Sequence, residues 1–133
     1  MNKMNKNLKS AVVYLLAAVF AFAVDRVYSL FSHGVFSKDM SLMWLFLLCS
    51  GTVFYFILNL ICAKIQRQPR RYALNIYNSG TAVFVTGMLL NGIFEIAGTG
   101  SIFTLYYKIA GIVLMAIGFI LIIAVKEQRP VKK

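Results

Sequence analysis

The chain has 133 residues, enough for one compact domain; 60% of them are apolar and the mean hydropathy is +0.77. Only 14% are charged, which excludes an ordinary water-soluble globule and places the chain among membrane proteins. The formal net charge of +10 invites nucleic acid as a partner, but no aromatic-and-basic platform or reading helix accompanies the cations, so none is expected.

Residues 1–9 form a short polar arm with Lys3, Lys6 and Lys9. A first span is expected over 10–31, and two readings compete for its first half. Ala21 and Ala23, just before Val24 and Asp25, resemble the small-residue end of a cleaved signal peptide. Alternatively, residues 9–25 make about 24 Å of helix, nearly the roughly 30 Å of a hydrocarbon core, with Asp25 and Arg26 at the far interface. Ala11 with Ala18 and Ala17 with Ala21 make small-residue seams for packing, which a disposable leader does not need. A retained span is therefore expected.

Residues 32–40 cluster Ser, Gly, Lys and Asp and read as a connection. It holds the only histidine, His33, with no second zinc ligand nearby. The second span is expected over 41–63, with Trp44 at aromatic-belt depth near its start. Cys49 and Cys62 are about 20 Å apart along that helix, too far to bridge, and read as packing residues.

Residues 64–71, KIQRQPRR, hold Lys64, Arg67, Arg70 and Arg71, with Pro69 breaking the helix. These four are the candidate anionic-lipid contacts, because a basic cluster beside a span attracts the inner leaflet.

The third span, 72–96, is the most polar and the expected centre. Asn75, Ser79, Ala82 and Thr86 share one helical face; Tyr77, Thr81, Phe84, Met88, Asn91 and Glu95 share another, flanked by Gly80 and Gly87. Such stripes suit a helix packed on two sides, or one lining a substrate path. Asn59 and Asn75 sit at similar depth beside the basic loop, so Asn59 is expected to bond Asn75 or Asn78. Gly98 and Gly100 mark a tight turn in 97–101. In the fourth span, 102–125, Gly111 and Gly118 answer Gly80 and Gly87, and Lys108 on the same stripe is expected to pair with Glu95, with Asn91 as a second partner. A basic tail, 126–133, follows.

With the amino terminus inside, Lys3, Lys6, Lys9, Lys64, Arg67, Arg70, Arg71, Lys126, Arg129, Lys132 and Lys133 are inside; Arg26, Lys38 and Lys108 are outside. The split is the positive-inside signature of a plasma-membrane protein with both termini cytoplasmic. The expected fold is thus an all-α integral membrane protein, a four-transmembrane-helix bundle with short loops in one membrane domain.

Motifs for chemistry are sparse. There is no phosphate-cradling glycine loop, CxxC or HExxH. Asp25, Arg26, His33, Asp39, Glu95 and Lys108 form an outer rim that interfacial charge explains without catalysis. No catalytic residue, cofactor or metal is expected. The candidate functional polar residues are Asp25, Arg26, Asn59, Asn75, Asn78, Asn91, Glu95 and Lys108. In length and number of spans the chain is similar to small multidrug exporters, but those carry a glutamate in the middle of the first span, and residues 11–24 hold no carboxylate. The expected role is a non-enzymatic accessory or interaction protein, as a homo-oligomer or with a larger membrane partner. The alternatives are a small oligomeric transporter or channel using the third helix and, more distantly, an interfacial enzyme.

Overall fold

The computed structural model describes residues 6–31, 34, 37–65, 67–124 and 126–128. It has four helices long and apolar enough to cross a membrane: α1 (Lys6–Phe31), α2 (Lys38–Ile65), α3 (Arg71–Ile96) and α4 (Phe103–Ala124). Two short strands, β1 (Arg67–Pro69) and β2 (Lys126–Gln128), pair antiparallel. His33 lies outside the described residues.

The helices run up, down, up and down, as paired contacts show. Asp25 meets Ser41 and Tyr14 meets Gly51 across α1 and α2. Phe46 meets Phe84, and Phe54 stacks on Tyr77, across α2 and α3. Gly87 lies against Lys108, and Gly118 against Tyr77, across α3 and α4.

Local chemistry explains most of the ends. Ser37 caps α2: its hydroxyl accepts from Met40 N–H, and Ser41 N–H donates to its carbonyl. The helix therefore begins inside the segment read as a loop, and Asp39 falls in its first turn, where the helix dipole favours a carboxylate. Gly98, at φ +71°, closes α3: Gly98 N–H donates to Glu95 O and Thr99 N–H to Phe94 O, a Schellman pattern. Ser101 starts α4 by accepting from Phe103 N–H.

Small residues set the spacing of α3 and α4. A Cβ on Gly80 would lie 2.5 Å from Met115 N, and one on Gly118 would lie 2.5 Å from Tyr77 N. The two backbones touch, as the matched glycine spacing predicts. On α1, Ala11, Ala18 and Ala21 are buried, so the alanine seam is a packing face.

α2 departs from regular α-helix in its middle. Leu48–Val53 is a π-turn, with Phe54 N–H donating to Cys49 O, five residues back. Ser50 Oγ donates back to Phe46 O at 2.7 Å, a bond that competes with regular helix geometry. Leu47, Gly51 and Tyr55 are all buried, four residues apart each time. In an unbroken α-helix those two steps would drift by about 80° around the axis. The wider turn removes that drift and keeps the core face of α2 in line. Gly51 then receives the ring of Tyr14, which lies where a Cβ would be.

Candidate functional site

Among the described residues, two bonded polar clusters and one uncovered polar stripe stand out. The first cluster joins three helices at the end where α2 begins. Lys108 of α4 forms an ion pair with Asp39 of α2, and both side chains are about three-quarters buried. Asn91 of α3 donates through Nδ2 to Asp39 Oδ2 at 2.7 Å and to Glu95 Oε1 at 3.0 Å. Thr104 Oγ1 donates to Asn91 Oδ1 at 2.9 Å.

The expected pairing of Lys108 with Glu95 is thus corrected. Asp39 takes the ammonium, because the Ser37 cap brings the first turn of α2 to this end. Glu95 is exposed and held through Asn91. The missed signal was Ser37 followed two residues later by an acid, a helix-start pattern. Asp25 and Arg26 lie apart from this cluster. Asp25 accepts from Ser41 Oγ at 3.2 Å, and the Arg26 guanidinium stacks 4.8 Å from the centre of the Phe22 ring.

The second cluster lies deeper and joins α1, α2 and α3. Asn78 Oδ1 accepts from Tyr14 at 2.9 Å and from Tyr55 at 2.6 Å, using both lone pairs. Tyr77 donates to Ser50 O, inside the π-turn, at 2.7 Å. The expected bond from Asn59 to Asn75 or Asn78 does not form: Asn59 Oδ1 is buried without a partner. Tyr55, on the core line of α2, reaches Asn78 first. Asn59 sits next to that line rather than on it.

The stripe is Asn75, Ser79, Ala82 and Thr86. All four are exposed, on the outside of α3. Thr86 turns its hydroxyl back to Ala82 O at 2.8 Å, while Asn75 and Ser79 find no partner among the described residues. Beside it runs a groove of about 380 Å³ between α1 and α3, lined among others by Ala17, Ala21, Ala82 and Thr86. At the opposite end from Asp39, Lys64, Arg70 and Arg71 are exposed, and β1 carries Arg67. The ribbon sets Pro69 opposite Lys126, which draws the basic loop and the tail together. Compared with protein-family models, curated proteins and solved structures, the chain matches none.

Proposed function

We propose that this chain is a non-enzymatic interaction protein of the plasma membrane that works by packing a membrane-spanning helix of a partner, or of a second copy, into the groove between α1 and α3. One observation carries the reading: α3 turns Asn75, Ser79 and Thr86 outward on a membrane-length helix. An amide left in hydrocarbon without a partner is unfavourable. Across a helix contact it finds one, and the alanines of the groove let backbones approach. Amides and hydroxyls both donate and accept, so the stripe also complements its own copy across a two-fold axis. In this reading α1 is retained, both termini are cytoplasmic, and Lys64, Arg67, Arg70 and Arg71 face the anionic inner leaflet.

The test is purification of the full chain in mild detergent beside a triple variant, Asn75→Leu, Ser79→Leu and Thr86→Leu. The wild type should retain a second copy or another membrane protein, and the variant should lose it. A wild type that is monomeric and alone would overturn the reading. A second reading, a small oligomeric transporter or channel, draws on the same stripe: copies closed around it would line a path with Asn75, Ser79 and Thr86. Solute flux through proteoliposomes, lost in the triple variant, would favour that reading over the first.

A further inference from the structure

A second groove lies between α2 and α4, at the end that carries the basic loop. Ile57, Ile61 and Ile65 of α2 and Phe119 and Ile123 of α4 wall it, Pro69 of β1 lines it beyond the end of α2, and its volume is about 320 Å³. Its lining is almost entirely apolar. Ile57 to Ile65 spans about 12 Å of helix, so the groove is a slot along the helix axis. Just beyond it stand Lys64, Arg70 and Arg71, all exposed. The ribbon adds Arg67 and Lys126, and Glu127 is the one acid in segments 64–71 and 126–128.

We infer that this slot and its basic rim bind one anionic phospholipid, with an acyl chain in the slot and the headgroup on Lys64, Arg70 and Arg71. This deepens the reading of the basic end as an anionic-leaflet contact and rests on it. A bare basic surface gathers anionic lipids diffusely. A slot ending under that surface fixes a single molecule, because apolar chain and charged head are joined at the boundary the protein presents. A partner helix fits less well. A spanning helix, at about 10 Å across, would have to continue past Pro69, which lines the slot beyond the end of α2, whereas an acyl chain is narrower and ends in a headgroup there.

The experiment is native mass spectrometry of the full chain in detergent micelles with added dioleoyl-phosphatidylglycerol or dioleoyl-phosphatidylcholine. The wild type should hold the anionic lipid at least about tenfold more tightly, and Arg70→Gln with Arg71→Gln should remove about that preference. Ile61→Trp, which fills the slot, should weaken phosphatidylglycerol binding about tenfold. Ile112→Trp, elsewhere on α4, should not. Both isoleucines are exposed, so neither change touches the core. Undiminished binding by Ile61→Trp would overturn the slot and leave the diffuse basic surface standing. Equal binding of the two lipids would overturn both. Full competition by glycerol 3-phosphate would show a site for free phosphate and overturn the lipid.

Discussion

Tyr55 donates its hydroxyl to Asn78 Oδ1 at 2.6 Å, and that one oxygen also takes the hydroxyl of Tyr14, so a single side chain of α3 ties α1 and α2 to it. Asn78→Leu would remove the shared acceptor of two tyrosine hydroxyls, leaving Tyr14 only the Thr81 hydroxyl beside it. It should destabilise the chain by about 1–3 kcal/mol in detergent unfolding. Asn59→Leu should be neutral or stabilising, because Asn59 Oδ1 is already buried and unbonded. If Asn59→Leu proves the more damaging of the two, the assignment of Asn78 as the junction is wrong.

The cluster of Asp39, Asn91, Glu95 and Lys108 makes a prediction about coupling. Lys108→Met and Asp39→Asn remove the two halves of one ion pair, so their effects on stability should be non-additive, by about 0.5–3 kcal/mol. Lys108→Met with Glu95→Gln should come closer to additive, since Glu95 reaches the pair only through Asn91. A double-mutant cycle on thermal melting measures both. A larger coupling for Glu95 would restore the pairing that the sequence suggests.

Glycine contacts between α3 and α4 set a third expectation. Gly118→Ala places a methyl group 2.5 Å from Tyr77 N and 2.7 Å from Tyr77 Cα, which are backbone atoms that cannot rotate away. The helices must separate, at about 1–3 kcal/mol. Gly100→Ala meets nothing within 4 Å and should be silent. Melting temperatures of the two variants that coincide would contradict the close approach.

These expectations divide along what a local pattern can reveal. The four spans were legible because apolar runs of this length have few other uses, and the glycines of α3 and α4 because seven-residue spacing survives in one dimension. The π-turn was not. The Ser50 back-bond within it is of a kind that regular helices also carry, and the turn's effect, the alignment of Gly51 and Tyr55 with Leu47, shows only in three dimensions. In sequence Lys108 points to Glu95 because a short turn joins α3 to α4, while in the structure α2 supplies the nearer acid from a segment with loop composition. The ribbon joins residues about sixty apart in the chain, and nothing in RQP or KEQ announces the pairing. Among the candidate residues, Asn91, Glu95 and Lys108 share a cluster; Asp25, Arg26 and Asn59 stand outside it.

Threading makes a fourth prediction. Ser37 and Gln68 flank α2, so reporter fusions after them should lie on opposite sides of the membrane, outside after Ser37 and inside after Gln68. The side follows from the basic residues of 64–71. Fusions that report one common side would remove α2 as a span, and a swapped result would invert the proposed orientation.

The ribbon permits the last prediction. Gln68 and Glu127 are direct partners across an antiparallel pair, and such residues have Cα atoms about 4.5–5.5 Å apart. That distance lies within the roughly 4.4–6.8 Å that disulfides span. In a chain with Cys49→Ala and Cys62→Ala, the pair Gln68→Cys and Glu127→Cys should therefore cross-link under mild oxidant. The register makes the test specific. Moving the first cysteine to Thr99, at the far end of α3, should abolish the bond, because helices of membrane length then separate the two thiols. The same bond carries a topological consequence: loop and tail must share one face of the membrane, as an even number of spans between them requires. A disulfide that forms only between chains would replace the intramolecular ribbon with a contact between copies. One that fails in every oxidant, with both thiols open to alkylation, would dissolve the ribbon that sets Pro69 opposite Lys126.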